Sequence, residues 1–159
     1  MIPSDFMKIA VLSDTHLHSV DELPRDIVKA FSAVDLIIHS GDFVRLPVLE
    51  GLRTMGEVKA VRGNMDSPDV KSILPEKEEV VVEGKRIGII HGSGPPWGIE
   101  SRVREHFDRV DIIIFGHTHQ AKNEVIDGVL FFNAGQANHS YGILEIGDEV
   151  KGQILRVVA

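Results

Sequence analysis

Five short apolar runs in this chain each end in a cluster of Asp, Asn or His. Residues 8–13 run into Asp14-Thr15-His16, residues 36–40 into Gly41-Asp42, and residues 58–61 into Arg62-Gly63-Asn64-Met65-Asp66. Residues 86–90 run into His91, and residues 111–115 into Gly116-His117-Thr118-His119. A short apolar run bounded by polar or turn residues reads as a buried strand. Where helices separate such strands, the crossovers are right-handed and the strands run parallel, so their carboxyl ends share one edge. Ligands of open α/β sheets collect beyond that edge. Side chains from Asp14 to His119 are therefore expected to meet in space.

The intervals between the runs supply the helices. Leu23, Ile27, Ala30, Phe31 and Val34 recur at helical spacing, with Asp21 or Glu22 near the cap and Pro24 in the first turn. Residues 47–55 read as a second helix and 99–107 as another. Residues 66–79, with Pro68, Pro75 and a run of charges, read as a loop or short irregular helix. Residues 80–82 and 86–90 flank Glu83-Gly84 and read as a hairpin. The tail reads as antiparallel strands at 123–126, 129–132, 141–146 and 153–158, turning at Asp127-Gly128 and Gly147-Asp148. The expected fold class is α/β: two facing mixed β-sheets flanked by helices, an α-β-β-α sandwich. A length of 159 residues suits one domain over 1–159, with 1–6 as a flexible N-terminal extension.

Composition removes several classes of function. No apolar run approaches the ~20 residues of a membrane helix, and the first residues lack the basic and apolar regions of a secretory signal. The absence of Cys excludes disulfides, thiolate metal sites and Cys nucleophiles, and it fits a reducing cytoplasm. A net charge of −7 with no basic stripe argues against an extended nucleic-acid surface. A local cationic site could still hold phosphate.

The strand-end clusters offer carboxylate, amide and imidazole donors and no sulfur. That mixture suits Mn²⁺, Fe, Co²⁺, Ni²⁺ or Zn²⁺ better than Ca²⁺, which prefers all-oxygen shells. Gly41, Gly63 and Gly116, each just before a ligand cluster, permit unusual backbone angles and close approach.

Taken in order, Asp14-x-His16, Gly41-Asp42, Gly63-Asn64, His91 and Gly116-His117-x-His119 resemble the calcineurin-like metallophosphoesterases, most closely the short prokaryotic single-domain branch. The resemblance spans nearly the whole chain. It implies a dinuclear metal-dependent phosphoesterase that hydrolyses phosphodiesters by attack of a metal-bound water or hydroxide. Asp14, His16 and His119 would bind the first ion; Asn64, His91 and His117 the second; Asp42 would bridge both. Asp42, Asn64 and His117 are the catalytic candidates. The cofactors are two divalent transition-metal ions, Mn²⁺ favoured, and the partner is a small phosphate-ester substrate. Relatives often form a homodimer, but no interface is legible in this sequence. Some relatives, such as the phosphoesterase-like subunit of retromer, use the fold to bind partners, so a scaffold is the alternative; a nuclease is a weaker third reading.

Two departures from the family pattern stand out. Met65 occupies the position after Asn64 where many members carry a His that protonates the leaving group, so the general acid is unassigned and esters with good leaving groups are favoured. Asn133-Ala134-Gly135-Gln136 replaces Asn-Pro-Gly-Ser, and Gln136 is given no role. His139, after that turn, is in a position to substitute for the missing acid but is not assigned that role. Asp66 is read as orienting a neighbouring ligand. His18 reads as exposed loop, His106 as surface or core filler, His39 as packing or hydrogen-bonding near the sheet edge, and Arg45 and Arg62 as solvated. Trp97 reads equally as a substrate wall or a cover for the core.

Overall fold

In the computed structural model, which describes residues 6–17, 19–43 and 45–157, side-chain alternation divides the apolar residues between three layers. Ile9 and Val11 of β1 (Met7–Leu12) face a core between two sheets, while Ala10 and Leu12 face the helices. That period of two is what a strand buried on both faces requires.

The first sheet runs, in order, from β10 (Val150–Arg156) through β9 (Ser140–Ile146), β1 and β2 (Leu36–His39) to β3 (Val58–Ala60). Its centre is parallel: β1, β2 and β3 are joined by α1 (Arg25–Phe31) and α2 (Leu46–Met55). A 3-10 turn, Val20–Glu22, precedes α1. Ile27 and Phe31 of α1 and Val48, Leu49 and Leu52 of α2 pack on the outer face of the sheet.

The second sheet has the order β4-β5-β6-β8-β7. Its strands are β4 (Lys77–Val82), β5 (Lys85–Ile90), β6 (Ile112–Ile114), β7 (Lys122–Ile126) and β8 (Val129–Asn133). β5, β6 and β8 are parallel. Ile87, Ile89, Ile112 and Ile114 face the first sheet, while Ile113 and Phe131 meet Ile99 and Val103 of α4 (Ile99–Arg104) on the far side. This gives helix, sheet, sheet, helix.

Several local expectations are refined. The 66–79 segment contains α3 (Pro68–Ile73) and the first residues of β4. The helix expected over 99–107 ends at Arg104, with turn hydrogen bonds beyond it. The tail does not form one antiparallel unit. The β7–β8 hairpin completes the second sheet, whereas β9 (Ser140–Ile146) pairs with β1 and carries β10 (Val150–Arg156) onto the first. Glu83-Gly84 and Asp127-Gly128 both have positive φ at both positions, the geometry of two-residue hairpin turns. Of the expected N-terminal extension only Phe6 lies within the described residues, and His18 lies outside them. No helix among the described residues is long and apolar enough to cross a membrane.

Candidate metal centre

The parallel strands of both sheets deliver their carboxyl ends to one rim. Backbone hydrogen bonds lace the exits together: Asp14 N–H donates to Gly41 O (3.0 Å), His16 N–H to Asp42 O (3.3 Å) and Gly116 N–H to His91 O (3.0 Å). The Ala137 N–H closes the rim by donating to Ser13 O at 3.1 Å.

Backbone conformation marks the site independently of side-chain chemistry. Asp14, His16, Asp42, His117 and His119 have φ of 53°, 50°, 63°, 73° and 64°. Non-glycine residues adopt this left-handed region infrequently, and where they do, surrounding structure must hold them. Among the described residues only Glu83 and Asp127 share it, both in hairpin turns. Crowding adds to the picture. A Cβ on Gly63 would stand 2.5 Å from the Asp42 N, and one on Gly116 would stand 3.1 Å from Asp14 Oδ2 and strike Ser13 Oγ. Both glycines are close-approach positions.

The side chains converge on the carboxylates. His119 Nε2 lies 3.5 Å from Asp14 Oδ1, and His16 Nε2 lies 4.0 Å from Asp14 Oδ1 and 3.8 Å from Asp42 Oδ2. His91 Nε2 lies 3.3 Å from Asp42 Oδ2 and 3.9 Å from Asp14 Oδ1. Two triads result, Asp14–His16–His119 and Asp14–Asp42–His91, each with ligand atoms within 4.8 Å of one another. The triads share Asp14, whereas the resemblance makes Asp42 the shared ligand. Asp42 Oδ2 nevertheless lies between His16 and His91, so both carboxylates are central.

These residues fit divalent ions. Asp14 Oδ1, His16 Nε2 and His91 Nε2 are buried without a hydrogen-bond partner, as is the nearby Ser40 Oγ. Leaving buried polar atoms unpaired is costly, and three such atoms converging on one pocket call for a group that accepts their lone pairs. The tautomer of His91 agrees. A carbonyl can only accept, so Nδ1–H donates to Ser40 O at 2.9 Å and the Nε2 lone pair faces the carboxylates.

The electrostatics also ask for positive charge. Burial pushes the Asp14 carboxyl above its usual range, against the pull of the Ser13 hydroxyl, His91 and His119. Burial acts the same way on Asp42, but the neighbouring His91 imidazole and the Met65 N–H outweigh it and hold Asp42 low. Burial alone would depress His91; the Asp42 carboxylate 3.3 Å away, with Asp14 beyond it, outweighs burial and raises His91.

The other expected ligands lie at the edge of this group. His117 stands with its ring edge-on to His91, centroids 5.4 Å apart, and donates Nε2–H to Gly94 O (3.0 Å), which leaves Nδ1 as its ligand atom. Asn64 is exposed and lines a cavity together with Gly63 and His91. His139 is exposed and belongs to neither triad. Trp97 is 76% exposed, so it does not cover the core.

Several supporting residues escape sequence reasoning. Asn133 is buried; its amide donates to Gly116 O and Thr118 Oγ1, both at 3.2 Å, and clamps the loop that carries His117 and His119. His39 is fully buried, accepts the Gly41 N–H on Nδ1 (3.0 Å) and contacts Thr15 Oγ1 through Nε2 (3.3 Å). Asn133 was visible as part of a turn motif, but no signal announced Ser13 or Ser40, whose main-chain carbonyls do the work. His106, read as surface or core filler, is exposed and lines the cavity beside His91.

Comparison with known proteins agrees with this geometry. Residues 7–148 match the calcineurin-like phosphoesterase superfamily domain. A probable metallophosphoesterase of Methanocaldococcus jannaschii is 39% identical over 133 residues, covering 81% of this chain and 67% of its own. A phosphodiesterase of the same organism is 30% identical over 158 residues, covering 89% and 91%. The crystal structure of wild-type Vps29 complexed with Zn²⁺ from Entamoeba histolytica superposes with a TM-score of 0.75 at 25% identity, covering 96% of this chain and all of that one.

Proposed function

Because the chain belongs to the calcineurin-like phosphoesterase superfamily, we propose that it is a dinuclear metal-dependent phosphoesterase acting on phosphodiesters. The observation that carries this reading is the convergence of Asp14 Oδ1, His16 Nε2 and His91 Nε2, buried and unpaired, at one rim. Asp14, His16 and His119 hold one ion; Asn64, His91 and His117 hold the other; Asp42 spans both. Divalent ions held there supply the Lewis acidity that makes water a nucleophile at neutral pH and offset the charge of an anionic ester. Mn²⁺ is the ion the family resemblance favours, and the oxygen and imidazole donors also suit Fe, Co²⁺, Ni²⁺ or Zn²⁺.

The protein's own contribution is placement. Asp42 Oδ1 accepts the Met65 N–H at 2.9 Å, which leaves Oδ2 turned toward His16 and His91. Asn64, exposed beside His91, is free to reach an ester oxygen. His117 sits opposite, its ring fixed by Gly94 O. No separate nucleophile is required, so no covalent enzyme intermediate forms.

The test is to load the purified chain with Mn²⁺, count bound ions by mass spectrometry, and assay bis(p-nitrophenyl) phosphate beside p-nitrophenyl phosphate. Two ions per chain and faster diester turnover are expected. One ion per chain refutes the paired centre, and a monoester preference refutes the diester assignment. Tight metal binding without turnover of any ester supports the scaffold alternative instead.

A further inference from the structure

Beside His91 the rim opens into a cavity of about 280 Å³ whose charged wall is mainly basic. Arg62, Lys71 and Arg102 line it, with His106 beyond them and Glu76 as the acidic member. The whole chain carries a net charge of −7, so a basic wall here runs against its composition. The three cations come from separate elements. Arg62 directly precedes Gly63-Asn64, Lys71 lies on α3, and Arg102 lies on α4.

Their hydrogen bonds separate two roles. Arg102 donates to the carbonyls of Ser93 and Trp97, at 3.0 and 3.1 Å, and also to that of Pro95. It pins the loop that borders the cavity and contributes mainly its field. Arg62 donates through Nη1 to Leu74 O at 3.0 Å, one of five available donors, which fixes the direction of the guanidinium. Lys71 is exposed on its helix. A guanidinium with donors to spare and a nearby ammonium, in a recess on a ligand-bearing rim, suit an oxyanion.

We propose that this cavity is a second oxyanion subsite and that the substrate is a phosphate ester carrying a further phosphate or carboxylate on one arm. The inference rests on the phosphoesterase reading of the adjoining centre. One loop presents both Asn64 and Arg62, so the scissile phosphate and the second anion are held at a fixed separation. A single-anion ester reaches the metals but leaves the basic wall unused.

Two measurements test it. The first titrates the metal-free chain separately with inorganic phosphate and with acetate, following backbone amides by ¹⁵N–¹H NMR. Saturable shifts at 62–64 and 71, lost in the Arg62→Gln/Lys71→Glu double variant, are expected; the more potent anion identifies the preferred group. The second uses the Mn²⁺-loaded chain and the p-nitrophenyl ester of thymidine 5′-phosphate with and without a 3′-phosphate. The wild type should favour the 3′-phosphorylated ester in kcat/KM by roughly tenfold or more, and the double variant should lose that ratio. Esterase activity with no such preference and no shifts at 62–64 and 71 overturns the subsite while leaving the phosphoesterase reading intact. Anion shifts at these amides without turnover of either ester uphold the subsite and overturn that reading.

Discussion

The Asp66 carboxylate accepts the Gly63 backbone N–H at 2.7 Å, and the same oxygen accepts the Asp42 N–H at 3.1 Å. One buried side chain thereby fastens the exit of β2 to the exit of β3, the two loops that carry Asp42 and Asn64. Asp66→Ala removes both hydrogen bonds and should weaken metal binding by about 10–100-fold, the usual effect of losing a partner behind the ligands. Calorimetric Mn²⁺ titration checks this. Asp66→Asn, which keeps an acceptor oxygen, should recover part of the loss.

The two carboxylates and the outlying imidazole differ in reach. Asp42 and Asp14 each face imidazoles of both triads, whereas His119 faces Asp14 alone among the measured pairs. Asp42→Asn should lower occupancy at both metal positions, and His119→Ala at one. Metal content per chain, measured with turnover, distinguishes them; near-normal turnover in Asp42→Asn would falsify its bridging role.

Gly63 stands where no side chain fits. A Cβ would lie 2.5 Å from the Asp42 backbone N, against main chain that cannot swing aside. Gly63→Ala should cost about 1–3 kcal/mol of stability, the range of overpacking changes, and reduce metal affinity with it. Thermal unfolding and the Mn²⁺ titration together report both effects; an unchanged melting temperature contradicts the crowding.

His39 is held neutral by burial, its pKa pushed down from 6.5 to about 3. The unfolded chain takes up a proton near pH 6.5 that the folded chain refuses. This contribution to stability is therefore whole above pH 6.5 and is lost as pH falls from there toward 3, by at most about 1.4 kcal/mol per pH unit. Side-chain NMR should find the His39 imidazole uncharged at pH 5, with Nδ1 accepting from Gly41. A charged ring at that pH contradicts the account.

Met65 is 58% exposed and its thioether cannot give up a proton, while its backbone N–H is committed to Asp42 Oδ1. Aryl phosphodiesters, whose leaving groups depart without protonation, should outpace alkyl ones. Met65→His should narrow the gap. Equal rates on aryl and alkyl esters in the wild type count against a missing acid.

The convergence of Asp14, His16, Asp42, His91 and His119 was legible because each cluster follows an apolar strand, and parallel strands must deliver their ends to one edge. His39 and Asn133 were less legible. Their importance comes from buried contacts with Gly41 and Gly116 that no spacing rule encodes. The basic wall was hidden for a related reason: Arg62, Lys71 and Arg102 are far apart in the chain and look like solvated charges one at a time.

The amino-acid order by itself determined the alternation of strand and helix, the two-sheet class and the chemical nature of the rim, since periodicity and donor type are local properties. Folding decided which sheet received each tail hairpin, that Asp14 joins both triads, and which nitrogen of His91 faces them. Those outcomes depend on main-chain carbonyls such as Ser40 O, which every residue type carries alike and no sequence pattern can therefore announce.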